Sequence, residues 1–195
     1  MDGAALIDVL QAASLAIGLA ACAGLRAWLP LLLAGGLARL GLLELGSSFR
    51  FLAEDRALLL FGIATLIETV ADKLPSVDHA LDLLSTFLRP ASGALLAASL
   101  FGRVTDPLEA AALGLAVGAP AALIPHAGKT ALRAASTAFT AGLANPFLSF
   151  LEDAASVMLF LLALAAPLAV ALALILSGVL LLRRFRRPQP AVGTT

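Results

Sequence analysis

Charge is scarce in this 195-residue chain: 13% of its residues are Asp, Glu, Lys or Arg, 61% are apolar, and the mean hydropathy is +0.99. Soluble domains carry about 25% charged and about 45–50% apolar residues. So few charges cannot cover a globule of this length, which excludes a soluble enzyme, a nucleic-acid binder and a disordered chain. The 13 Lys and Arg balance the 13 Asp and Glu, so no global field gathers an anionic partner. The single cysteine, Cys22, excludes a disulfide framework and a cysteine-built metal site. There are only two histidines, and no Gly-rich nucleotide loop, His-Glu-x-x-His or Gly-x-Ser-x-Gly occurs. No catalytic residue is therefore assigned, no cofactor is expected, and the question of a metal stays open. The first ten residues contain Asp2 and Asp8 but no Lys or Arg. A cleaved signal needs a basic n-region, so Ala4–Gly24 reads as a first membrane helix, although Leu19-Ala20-Ala21-Cys22 looks like a lipoprotein processing box.

What is present is a series of apolar segments near the roughly 20 residues that span a bilayer. Ala4–Gly24 is followed after Arg26 by Ala27–Leu40, then by a mixed loop, Leu42–Arg56, and a helix from Ala57 to Ala71 that Pro75 stops. Ser76–Arg89 is too polar to span, and Pro90–Phe101 has the length of a re-entrant half helix. Leu108–Pro125 reads as a span kinked at Pro120, His126–Ala144 as a separate amphipathic segment, and Phe147–Ala166 and Leu168–Leu182 as two final spans. The expected fold is an all-α polytopic membrane protein of about six spans plus amphipathic or re-entrant helices. It forms one transmembrane domain over residues 1–187, with a polar tail at 188–195. Ala23-Gly24-Leu25-Arg26-Ala27 before Ala34-Gly35-Gly36-Leu37-Ala38 is echoed by Ala127-Gly128 and Leu132-Arg133-Ala134 before Ala141-Gly142-Leu143-Ala144. These echoes outline candidate repeat halves, 1–105 and 106–187, inverted if the elements around Arg26 and Arg133 dip in and return. Arg183, Arg184, Arg186 and Arg187 flank the last span and place the C-terminus in the cytoplasm.

The ionisable residues near apolar stretches are the candidate site, because each costs about 2.5–3.5 kcal/mol at a helix centre and so faces a partner or water. Glu68 and Asp72 share a helix face, with Lys73 next and Pro75 ending the helix. Asp78, Asp82, Ser85 and Arg89 form an acidic-to-basic stripe, with His79 beside it; Lys129, Arg133 and Thr140 form a basic one after His126. Two stripes of matching length and opposite charge would satisfy each other across a protein interior. Asn145 is placed to cap the next helix before Pro146, where Asp153 suits the early turns and Glu152 lies on the Ser149 face. With Arg26, these residues would bind a substrate or ion.

Several stretches resemble the DUF4126 family of uncharacterised bacterial membrane proteins. They are Gly24-Leu25-Arg26-Ala27-Trp28-Leu29-Pro30-Leu31-Leu32; Glu68 with Ala71-Asp72-Lys73-Leu74-Pro75-Ser76-Val77-Asp78; Phe87-Leu88-Arg89-Pro90-Ala91-Ser92-Gly93; His126-Ala127-Gly128-Lys129 with Arg133; and Asn145-Pro146 with Ser149 and Glu152-Asp153. The resemblance implies a multi-span protein of the bacterial inner membrane and carries no activity. The expected function is a small transporter or channel-like protein with a central polar site. The alternatives are lipid flipping or scrambling, or a membrane assembly partner. Its expected partners are lipids and a small ion or molecule; small-residue runs such as Gly114, Gly118 and Ala121-Ala122 also permit a homo-oligomer.

Overall fold

The computed structural model describes residues 3–72 and 75–185, with side chains described outside 75–83 and 184–185. Among the described residues the chain is all-helical: α1 (Gly3–Leu25), α2 (Leu29–Arg39), a 3-10 segment (Ser47–Ala53), α3 (Asp55–Ala71), α4 (Pro75–Phe101), α5 (Pro107–Leu113), α6 (Ala119–Thr140), α7 (Asn145–Ala165) and α8 (Pro167–Phe185). Among the described residues, four helical stretches are long and apolar enough to cross a membrane: Gly3–Leu25, Leu84–Phe101, Pro107–Thr140 and Asn145–Ala165. The chain has the architecture of a helical membrane protein.

Two boundaries differ from the sequence reading. Pro90 lies inside α4, which runs unbroken from Pro75 to Phe101, so Pro90–Phe101 is no separate half helix. The joined α5–α6 stretch likewise continues from Pro107 to Thr140, so His126–Ala144 is not a segment of its own. A π-turn, Gly114–Gly118, links α5 to α6. It widens the helix where the Ala116 carbonyl would otherwise meet Pro120, which has no N–H to donate. Asp106 starts α5 by accepting from the backbone N–H groups of Leu108 and Glu109, with Pro107 in the first turn.

α1 is the central helix, and backbone proximity fixes how the others run against it. Arg89 reaches the Gly24 carbonyl and Gly93 lies against Ala20, so α4 is antiparallel to α1. Gly24 lies against Ala122, and Gly93 against Ala122 and Gly118, so α6 is parallel to α1. Ser156 meets the Cys22 carbonyl and Ala163 meets Gly18, which makes α7 antiparallel. Val170 at Gly18 and Ile124 at Gly178 set α8 parallel again. The contacts are close because the facing residues are small. A Cβ at Gly24 would overlap the Ala122 carbonyl, and Gly93 and Gly118 meet through their backbones. In lipid, where apolar burial drives little association, such close packing holds helices together.

α2 turns back from the end of α1 and packs on the 3-10 segment and α3, with Gly35 against Leu52 and Leu58 and Trp28 stacked on Phe61 at 6.2 Å between ring centroids. With α5 and α6 counted as one, the chain reverses direction at each successive segment. The two repeat copies differ locally: Arg26 sits where α1 breaks, whereas Arg133 lies within continuous α6, and α1 and α6 run the same way.

Candidate functional site

Between α1 and α2 the helix breaks over Arg26-Ala27-Trp28, forced by the turn and by Pro30, which cannot supply an N–H to continue the ladder. A break exposes carbonyls at one helix end and N–H groups at the other, and inside a membrane each must find a partner. Two charged side chains supply them. Glu68 of α3 accepts from the Ala27 N–H at 3.0 Å and the Trp28 N–H at 3.3 Å. Arg89 of α4 donates through Nη1 to the Gly24 carbonyl at 2.8 Å. The anion thus meets the positive end of α2 and the cation the negative end of α1, each in its favourable dipole position. Arg89 Nη2 lies 3.6 Å from Glu68 Oε1, so the two also form an ion pair.

Arg26, in the break itself, is 1% exposed and ties together three elements. Its Nη1 pairs with Asp72 Oδ2 at 2.5 Å, its Nε lies 2.6 Å from Asp153 Oδ1, and its Nη2 donates to Ser149 Oγ at 2.9 Å. Lys129 and Arg133 on α6 converge on the same Asp72 oxygen at 3.2 and 3.3 Å. Arg133 also grips Glu152 in bidentate fashion, Nε to Oε1 and Nη2 to Oε2, both at 2.9 Å, and Lys129 reaches Glu152 Oε2 at 2.9 Å. Paired, bidentate geometry of this kind is what lets charges persist away from water. The described residues of the cluster are four cations, Arg26, Arg89, Lys129 and Arg133, and four carboxylates, Glu68, Asp72, Glu152 and Asp153.

The cluster is buried within the helix bundle: Arg26, Glu68, Asp72, Arg89, Lys129, Arg133 and Glu152 are all shielded from solvent. Two cavities approach it along neighbouring faces of α3. One, of about 190 Å³, is lined by Ala64, Ile67, Leu84 and Ser85 and ends on Glu68 and Asp72. The other, of about 460 Å³, lies against Thr65, Thr69, Val157 and Met158 and reaches Asp153. Arg26 lines neither but pairs with a carboxylate that lines each, Asp72 in the first and Asp153 in the second.

Of the residues proposed from sequence, Arg26, Glu68, Asp72, Arg89, Lys129, Arg133, Glu152 and Asp153 come together. Asp153 is a partner of Arg26 and no mere helix-start residue. The side chains of Lys73, Asp78, His79 and Asp82 lie outside the described residues; the acids that Lys129 and Arg133 meet among the described residues come from α3 and α7. His126 is half-buried on α6 beside Gly24, one turn from Lys129. Asn145 does not cap α7: its amide donates to Thr137 Oγ1 at 3.3 Å, and no side-chain cap bond forms. Sequence reasoning did not identify the backbone groups of Gly24, Ala27 and Trp28, for which Pro30 beside an interrupting Arg was the available signal. Among the described residues, no group of three or more His, Cys, Asp or Glu side chains is placed to hold a metal ion.

The family model for a domain of unknown function, DUF4126, matches residues 13–187, and the chain belongs to that family. No curated protein and no solved structure matches it.

Proposed function

We propose that this protein is a small secondary transporter that moves a proton together with a small anion through the buried charge cluster. The observation that carries this reading is that Arg26 pairs at once with Asp72, which lines one cavity, and with Asp153, which lines the other. The described cluster is balanced, four charges against four. A proton taken up by Glu68 from the smaller cavity leaves one buried cation uncompensated, which favours entry of an anion. Arg89 offers it donors: Nε and Nη2 are buried and make no hydrogen bond. Release of the Asp72 or Asp153 contact would let Arg26 turn to the other cavity, so that the cluster faces one side at a time.

In this reading the protein resides in the bacterial inner membrane with its C-terminus in the cytoplasm. Six of its traverses would be the longer segments α1, α3, α4, α5–α6, α7 and α8. The seventh is α2, whose 11 residues rise about 16 Å and form the short returning arm of a hairpin with α1. An internal repeat over 1–105 and 106–187 would pair α1 with α6.

The test is proton flux in proteoliposomes, read with an enclosed pH-sensitive dye under an imposed pH gradient, with chloride, nitrate, phosphate or acetate outside against gluconate. Anion-dependent collapse of the gradient that Glu68→Gln and Asp72→Asn abolish supports the transporter. A gradient that no anion discharges, or that both variants discharge equally well, overturns it.

A second reading has its own observation. Both cavities carry apolar residues beside their carboxylates, Ile67 and Leu84 in one and Val157 and Met158 in the other, as a path for a lipid headgroup would need. Equilibration of a fluorescent lipid between leaflets in the same vesicles, with no anion-linked proton flux, would favour lipid scrambling.

A further inference from the structure

A second polar site lies away from the charge cluster, at the membrane face formed by residues 40–54 and the turn after α4. It is a partly open hollow of about 700 Å³ lined by Glu44, Ser47 and the exposed Arg50 and Arg103, with Leu43 and Leu45 among its apolar walls. That volume falls in the range of sites that enclose a small molecule, about 300–1,000 Å³.

Its walls are built rather than draped. The Gly46 N–H donates to the Ser99 carbonyl at 2.7 Å, pinning the loop to the end of α4. Gly46 then lies so close to Gly102 that a Cβ would come within 2.5 Å of its carbonyl carbon. Leu43 and Leu52 are buried as anchors on either side of this contact, and Phe49 packs beneath Gly102. Arg103 makes one long ion pair, 3.4 Å to exposed Glu44. Arg50 lines the cavity with no ion pair among the described residues. Two guanidiniums against one carboxylate leave the cavity with an excess of one positive charge, and Ser47 adds a hydroxyl.

We infer that this cavity binds a phosphate-bearing anion. Guanidinium offers paired donors in the geometry that phosphate oxygens accept, and two of them flanking one space suit a single phosphoryl group. The cavity's place where helices end puts it within reach of two sources of the same chemistry, an anionic lipid headgroup and free phosphate. This inference is independent of the transport reading, since none of its residues belongs to the buried cluster.

The experiment uses the full chain in zwitterionic nanodiscs and two probes, inorganic phosphate and phosphatidylglycerol, with binding measured for the native chain, Arg50→Gln/Arg103→Gln and Arg56→Gln. Arg56 is an exposed arginine on the same face that does not line this cavity, so its variant controls for general charge. Binding of either probe, at least tenfold weaker in the double variant and unchanged in Arg56→Gln, supports the site. Phosphate as the ligand identifies a soluble anion, and phosphatidylglycerol alone identifies a headgroup. Because the double variant replaces residues outside the core, loss of fold is checked by its thermal midpoint, and Arg50→Lys/Arg103→Lys should recover binding in part. Binding that the double variant retains, binding that Arg56→Gln weakens as much, or no binding of either probe overturns the inference.

Discussion

Glu68 and Arg89 clasp the two ends of one helix break. The carboxylate receives the N–H of Ala27 while the guanidinium donates to the carbonyl of Gly24, and the two groups lie 3.6 Å apart. Each therefore satisfies the backbone and the other at once. Loss of either leaves an uncompensated charge and an orphaned backbone group, at about 3–5 kcal/mol. Glu68→Gln and Arg89→Met should each lower stability by about that amount, and the double variant by clearly less than the sum. Reversible denaturant titration in detergent measures all three; strictly additive losses would show that the pair is not a unit.

Arg26 contacts Asp72, Asp153 and Ser149 through three different nitrogens. A lysine ammonium is a single point and cannot span them. Arg26→Lys keeps the positive charge but gives up two of these contacts, so it should still purify as folded protein with a clearly lowered thermal midpoint, and lose most of the anion-linked proton flux. Flux within twofold of native would show that bridging the two carboxylates is unnecessary.

Gly24 packs its α-carbon on the Ala122 carbonyl, whereas nothing lies within 4 Å of a Cβ built at Gly62. Gly24→Ala should destabilise at or beyond the upper end of the roughly 1–3 kcal/mol typical of overpacking, because the obstacle is backbone. Gly62→Ala should be neutral or slightly stabilising within α3. The yield of monodisperse protein after membrane extraction, followed by thermal melting, compares the two. Equal behaviour would contradict the α1–α6 contact.

α1 and α8 run in the same direction, so the start of the first and the end of the last lie at opposite ends of the bundle. Reporters fused before Met1 and after Thr195 should be active on opposite sides of the membrane, the C-terminal one in the cytoplasm if the basic cluster around Arg183 governs orientation. Activity of both reporters in one compartment would refute the alternation of segments.

Much of the site was legible in the sequence because burying a charge in lipid is expensive. Any ionisable residue in an apolar stretch stands out, and Arg26, Glu68, Asp72, Arg89, Lys129, Arg133, Glu152 and Asp153 all did. The membrane class was equally plain, since 13% charge cannot solvate a globule. Local rules also placed the start of α5 at Pro107 and the end of α3 ahead of Pro75, while α7 starts one residue before Pro146, at Asn145.

Local rules failed where tertiary contacts decide. Pro90 and Pro125 sit within continuous helices because packing against neighbours holds the axis through a missing hydrogen bond, as it does in membranes generally. Pairing was also beyond reach. Residues 26, 72, 133 and 152 are far apart in the chain, and which acid meets which base depends on helices α1, α3, α6 and α7 approaching at one depth. Their approach is set by small residues such as Gly18 and Gly24, whose spacing looks ordinary in an Ala- and Leu-rich chain. By itself, then, the amino-acid order determined that the protein enters a membrane and which charges must be compensated there, because both follow from the transfer energies of single residues. Only the packed helices decided that Glu68 and Arg89 complete a broken helix while Arg26 joins Asp72 to Asp153, because these are relations between backbones that meet only in the folded chain.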